Sequence, residues 1–174
     1  MSLEEFQRWA ELPENADHDY ELINGAVVPV TPARSTHSFI HNLLVVAVHN
    51  YCRVQNVPCY TTSGDGTFVI MGHALSPDFT YRPTPLLDDY PDPEPPLWAV
   101  EIISPTEKAK DIRDKREIYR QAGILYWEIY PNSRSVDVYA PGQPVRTVGI
   151  DDTLDGGAVL PGFTLPLRDL FPEQ

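Results

Sequence analysis

Apolar positions along the chain follow two different rhythms. After Thr31-Pro32, the residues Phe39, Ile40, Leu43, Leu44, Ala47, Val48 and Tyr51 recur at helical spacing, which predicts a long helix starting near Ser35 or Thr36. A second helix is predicted over Lys108–Ala122, with Gly123 placed to end it. A short one is expected at the N-terminus, where Ser2-Leu3-Glu4-Glu5 has the capping-box order and Phe6 and Trp9 follow. Elsewhere the period shortens. Tyr20 to Val28 reads as strand, Asn24-Gly25 turn, strand, because Asn-Gly tolerates the positive φ of a tight hairpin. Further strands are predicted at Val57–Thr61, Thr67–Met71 and Asp78–Tyr81, with Gly64-Asp65-Gly66 turning between the first two. Leu97–Ile103 reads as a buried strand, and Ile124–Tyr130 and Ser135–Tyr139 as two more joined by Pro-Asn-Ser-Arg. Residues 83–96 are rich in Pro and Asp and read as a loop close to the functional site. The tail holds short β segments and one helical turn near Leu167–Phe171. No repeat interrupts this order. It implies a single α/β domain over residues 1–174, an α+β mixed sheet flanked by helices with an N-terminal β-hairpin.

Composition adjusts that picture in three ways. The 174 residues are 42% hydrophobic and 22% charged, enough apolar material for a core and too much for a disordered chain. No apolar run approaches the ~18–20 residues needed to span a bilayer, and the acidic N-terminus does not read as a signal peptide. The expectation is a soluble, cytoplasmic protein with no membrane partner. Two cysteines, Cys52 and Cys59, make neither a disulfide framework nor a zinc spacing and read as buried thiols.

Charge is the most informative composition term. Thirteen basic residues face 25 acidic ones, a net −12, which argues against holding nucleic acid by bulk electrostatics. It leaves room for a small basic patch and a metal. Nearly half of the 13 cations lie between Lys108 and Arg120, interleaved with Glu107, Asp111, Asp114 and Glu117. That segment is either a solvated helix laced with i,i+4 pairs or a phosphate-contacting face.

Four residues carry candidate chemistry. Glu101 sits inside Leu97-Trp98-Ala99-Val100-Glu101-Ile102-Ile103, where a carboxylate is costly unless paired or metal-bound. Asp78 follows Pro77 at the start of a strand and could be a simple turn acid. On neighbouring strands, however, two carboxylates beside a backbone carbonyl make the hard oxygen set preferred by Mg2+ or Mn2+. Lys115 shares a helix face with Asp111, as a surface pair or as an ammonium directed at a metal centre. Glu21 ends the first hairpin strand, either exposed or as a further acid at the site. His37 and His41 stand at i,i+4 but lack a His-Glu-x-x-His pattern, so they read as polar-face histidines, with His37 alone able to line a cleft. There is no Gly-x-Ser-x-Gly elbow around Ser63 or Ser104, and Gly64-Asp65-Gly66 is not a P-loop.

An ordered set of short motifs runs through the chain. It comprises Tyr20-Glu21-Leu22-Ile23-Asn24-Gly25, Ser35-x-His37, Pro77-Asp78, and Val100-Glu101-Ile102-Ile103-Ser104-Pro105-Thr106. It continues through Asp111-x-x-x-Lys115-x-x-x-Tyr119-x-x-x-Gly123-Ile124-x-x-Tyr126-Trp127 to Leu160-Pro161-Gly162-Phe163 and Leu170-Phe171. This set resembles the Uma-two family within the PD-(D/E)XK nuclease superfamily, from about Phe6 to Phe171. The resemblance implies a restriction-endonuclease-like core and a Mg2+- or Mn2+-dependent endonuclease that cleaves nucleic acid, most readily DNA. Carried over by position, Asp78 and Glu101 would bind the metal with the Ile102 carbonyl completing the set. Lys115 would supply the ammonium, held by Asp111, and Glu21 would bind a second ion or a metal-bound water. Lys108, Lys110 and Arg113 would contact substrate phosphates. The superfamily's lysine two residues after the second acid is replaced by Ile103, and the aspartate usual after Tyr126-Trp127 is absent, the chain reading Glu128-Ile129-Tyr130. A homodimer is the expectation for a small nuclease that cuts two strands. The charge of −12 keeps open the alternative of a catalytically silent nuclease-fold module that binds a protein partner.

Overall fold

A computed structural model describes residues 1–15, 17–30 and 32–171. The N-terminal helix α1 (Leu3–Ala10) is capped as its sequence predicts: the Glu5 backbone N–H donates to Ser2 Oγ at 3.2 Å, and the Ser2 N–H donates to Glu5 Oε2 at 2.7 Å. Strands β1 (Tyr20–Ile23) and β2 (Ala26–Pro29) form the expected hairpin, with Asn24 at φ 50° and Gly25 at φ 76°. The long helix α2 (Ser35–Gln55) buries Ile40, Leu44, Val48 and Cys52, one residue per turn along a single stripe.

Four strands follow: β3 (Tyr60–Ser63), β4 (Phe68–Ile70), β5 (His73–Leu75) and β6 (Phe79–Arg82). The first starts later than Val57 because Pro58 has no N–H to give a ladder. The pattern of the sequence does not reveal β5. A two-residue turn, Met71 at φ 51° and Gly72 at φ 81°, reverses the chain so that Ile70 faces His73. Met is a rare choice for a left-handed position, so Gly72 alone marks the turn and no two-residue turn signal is present.

Strand β7 (Trp98–Ile102) is followed by helix α3 (Ala109–Gln121), which ends at Gly123 with φ +69°, and then by β8 (Leu125–Tyr130), parallel to β7. Strands β9 (Ser135–Tyr139) and β10 (Arg146–Val148) extend this sheet; β11 (Thr153–Asp155) and β12 (Thr164–Pro166) pair separately, and a single 3-10 turn spans Leu167–Asp169. The result is a mixed six-stranded sheet in the order β10-β9-β8-β7-β6-β3 and an antiparallel sheet β2-β1-β5-β4.

All five residues of β7 are buried, so its two faces must meet different layers. Trp98, Val100 and Ile102 join the core formed with α2 and the C-terminal segment, whereas Ala99 joins a second core with Ile118 and Tyr119 of α3 and with Phe68, Ile70 and Leu75. Alternation therefore turns Glu101 toward α3. The helices flank the sheet as expected.

The Pro/Asp segment 83–96 does not border the functional site. Arg82, 2% exposed, pairs with Asp92 at 2.8 Å and donates to the carbonyls of Thr84, Pro85 and Glu94. Asp92 in turn exchanges backbone hydrogen bonds with Thr67 and Val69 at the edge of β4. A buried guanidinium and its carboxylate organise this loop, and that pairing could not be read from a segment without periodicity.

Candidate active site

Glu101 projects from the interior of β7 and is 4% exposed. Its Oε1 accepts hydrogen bonds from the Tyr119 hydroxyl at 2.9 Å and from Lys115 Nζ at 3.2 Å. Both donors come from α3 and lie four residues apart, on one helix face. Lys115 Nζ also meets Glu21 Oε2 at 2.9 Å, while Glu21 Oε1 accepts the Ser76 backbone N–H at 2.9 Å. One ammonium thus bridges an acid of the six-stranded sheet and an acid of the hairpin sheet.

Asp78 immediately precedes β6. Phe79 pairs with Val100, so extending the antiparallel register by one residue sets Asp78 opposite Glu101. Its Oδ2 accepts the Ile102 backbone N–H at 2.7 Å and lies 2.9 Å from His37 Nε2, which reaches down from the first turn of α2. Only one of the two spaced histidines participates. His41 contacts Asn42 at 3.4 Å and Phe79 across 6.4 Å, so the two do not form a chelating pair.

Glu21, His37, Asp78, Glu101 and Lys115 line a cavity of about 360 Å3 that also includes Glu107, Asp111, Lys108 and Arg34. Carboxylates outnumber cations at its floor. Burial drives the Glu101 carboxyl well above the ordinary range; Lys115 and the Tyr119 hydroxyl pull it back, while Asp78 and Glu21 push it further up. Burial disfavours the charged form of Lys115, but the neighbouring charges of Glu101 and Glu21 outweigh that and raise its pKa, so the ammonium stays protonated. For His37, burial is likewise overcome by the hydrogen bond and charge of Asp78 and by Glu107, and its pKa rises above 6.5. Glu107, raised by burial, accepts the Ser104 backbone N–H.

Several expected assignments change. Asp111 lines the cavity, but Glu21 and Glu101 hold Lys115 in its place. Each oxygen of Glu21 already meets one donor, Lys115 Nζ and the Ser76 N–H, so its contacts in the structure are with the ammonium and the backbone. Of the three expected phosphate-contacting cations, Lys108 lines the cavity; Lys110 pairs with Asp114 at 2.6 Å, and Arg113 is exposed away from the cavity. Arg116 is locked bidentately on the fully buried Glu128 at 2.8 and 2.7 Å, with the Tyr130 hydroxyl at 2.7 Å from the same carboxylate. Glu128 is the register partner of Glu101, one strand over. Tyr119 stood in the sequence as a position of the motif Asp111-x-x-x-Lys115-x-x-x-Tyr119, and nothing local marked its hydroxyl as a partner of Glu101.

Among the described residues, no three His, Cys, Asp or Glu side chains are grouped to hold a metal. Mg2+, however, is commonly held by one or two carboxylates and keeps several waters. Asp78 Oδ1 and Glu101 Oε2 receive no hydrogen bond from the described residues, whereas the other oxygen of each is fixed. Two oriented hard donors and an excess of negative charge fit Mg2+ or Mn2+ better than a four-ligand zinc.

A family model named Uma2 and described as "Putative restriction endonuclease" matches residues 3–168. Among solved structures, the chain is similar to a crystal structure of "a putative nuclease belonging to DUF820 from Anabaena variabilis ATCC 29413". The TM-score is 0.83 at 21% identity, over 98% of this chain and 97% of that one. Identity at that level speaks for a shared fold. No curated protein matches the chain.

Proposed function

We propose, from the premise that this chain belongs to the Uma2 family, that its cavity hydrolyses nucleic-acid phosphodiester bonds with Mg2+ or Mn2+, DNA being the favoured substrate. The observation that carries this reading is the convergence of Asp78, Glu101 and Lys115 from three separate elements on one cavity. Asp78 and Glu101 would hold the ion through the oxygens left free by Ile102, Tyr119 and Lys115. The Ile102 carbonyl is the remaining expected donor. When bound, such an ion supplies a more acidic water and charge stabilisation at the phosphate.

The chain's own residues do the rest. Lys115, kept protonated between Glu101 and Glu21, presents a fixed positive charge where negative charge develops on the phosphoryl oxygens. Placing that charge on a helix compensates for Ile103 at the strand position where a lysine is usual. Tyr119 and the Ile102 N–H set the orientation of the two ligand carboxylates before substrate arrives. Metal-dependent cleavage of nucleic acid takes place where nucleic acid is accessible, which accords with a cytoplasmic location.

Asp78→Ala and Glu101→Ala are each expected to abolish divalent-dependent cleavage of labelled DNA while leaving the circular dichroism spectrum in place. Full activity in both variants would overturn the assignment. The net charge of −12 favours a second reading, a silent module that binds a protein partner. Calorimetric titration with Mn2+ separates the two: binding that requires both carboxylates belongs to the nuclease.

A further inference from the structure

The cavity floor is anionic, yet a nucleic acid arrives as a polyanion, so the lips must supply the attraction. Among the described residues, three Lys or Arg side chains line the cavity, Arg34, Lys108 and Lys115, beside His37, which is paired with Asp78. Lys115 is consumed by Glu21 and Glu101. Arg34 and Lys108 are exposed and enter no ion pair among the described residues. One belongs to the β2–α2 connection and the other to the β7–α3 connection, so two separate segments bring a cation to the same cavity.

Both cations occupy an unusual position. Arg34 is the N-cap of α2 and Lys108 the N-cap of α3, each in extended backbone and each without a side-chain cap hydrogen bond. Ser, Thr, Asp or Asn is preferred there, and a positive charge at a helix N-terminus opposes the helix dipole. Two helices carrying the same unfavourable choice open on one cavity. A bound anion would relieve both faults, by accepting the free N–H groups and by neutralising the cation.

We propose that Arg34 and Lys108, brought to the cavity by two separate helix starts, are the pair of cations that grip the substrate phosphates flanking the scissile bond. The grip reads phosphate charge and not base identity, so it carries affinity without sequence preference. This inference rests on the nuclease reading of the same site. It also assigns substrate contact to Arg34, which carries no motif, and withdraws it from Lys110 and Arg113.

Binding of a fluorescein-labelled 12-mer, single-stranded and as duplex, is measured in EDTA by anisotropy across a salt series; cleavage is then followed in Mn2+. Arg34→Ala and Lys108→Ala are each expected to weaken binding several-fold and to lower the slope of log K against log salt by about 1. Arg34→Lys keeps the slope, and Lys110→Ala and Arg113→Ala leave binding unchanged. Arg34→Ser and Lys108→Ser are expected to raise the Tm of the free protein, as better N-caps, while weakening binding; a merely structural role moves both in one direction. Wild-type affinity and slope in Arg34→Ala and Lys108→Ala would overturn the inference, as would equal losses in Lys110→Ala and Arg113→Ala. Cleavage that is intact in Arg34→Ala and Lys108→Ala refutes the grip and spares the nuclease. Binding that depends on both cations, without cleavage under either metal, refutes the nuclease and spares the grip.

Discussion

Replacing Lys115 with Met tests the electrostatic centre most directly. The ammonium sits 2.9 Å from Glu21 and 3.2 Å from Glu101, and each of these carboxylates is 4% exposed. At an effective dielectric of about 20, each attraction is on the order of 5 kcal/mol, much of it offset by the cost of desolvating the charges. Removing one partner from a buried pair costs about 3–5 kcal/mol, because the remaining charge is stranded. Two carboxylates are stranded here, but Lys115 is 12% exposed and water can enter the vacated space. A loss of about 3 kcal/mol at pH 7 is therefore expected, a large part of the ~5–15 kcal/mol that stabilises a typical domain. The loss should depend on pH. Without the ammonium, the Glu101 carboxyl, already driven up by burial, binds protons in the folded state more readily than in the unfolded state. The folded variant then gains relative stability as pH falls, so the deficit narrows between pH 7 and pH 5. Urea unfolding of wild type and Lys115→Met at both pH values gives the comparison. Adding Glu21→Gln and Glu101→Gln to Lys115→Met should recover most of the loss, since neutral groups in that space carry no stranded charge. A deficit below about 1 kcal/mol at pH 7, or one equal at pH 5, would refute the account of a buried, anion-rich centre held together by one cation.

Two further predictions concern elements away from the cavity. His73 accepts the Asn24 backbone N–H through Nδ1 at 3.1 Å, and burial lowers its pKa below 6.5, partly countered by a backbone hydrogen bond with Leu22. The unfolded chain then binds the proton more readily, so stability contributed here is present above about pH 6.5 and lost as pH falls through the folded value. Thermal melts from pH 7.5 to 5 should show this dependence in wild type and a flatter one in His73→Gln; identical profiles would remove His73 as its source. Arg82→Met strands Asp92 at 5% exposure and releases three carbonyls, so it should cost about 3–5 kcal/mol and speed amide exchange across residues 83–96. Unchanged exchange there would show that the loop is held by something other than the guanidinium.

Much of the chain declared itself locally. The α2 stripe, the Asn24-Gly25 hairpin, the capping box at Ser2 and the stop at Gly123 each depend on residues within a turn or two of one another, and each is present. Glu101 was also legible, because a carboxylate inside an apolar strand needs a partner wherever the strand lies. Other features were opaque for equally specific reasons. Met71 occupies a left-handed turn position that glycine or asparagine would have announced, so β5 went unseen. Asp111 was the obvious neighbour of Lys115 along the helix, yet the ammonium points across the cavity to acids on two sheets.

By itself, then, the order of residues determined which segments become helices and strands, where several of them end, and that one strand carries an acid it cannot leave unpaired. Only the tertiary structure decided which partners that acid meets. It set β6 beside β7, so that Asp78 falls opposite Glu101, and it laid α3 against both sheets, so that Lys115 and Tyr119 reach inward. Helical and strand periodicities follow from backbone geometry over a few residues. Contacts such as Glu21 to Lys115 follow from strand order, register and layer packing, which depend on the whole chain folding at once.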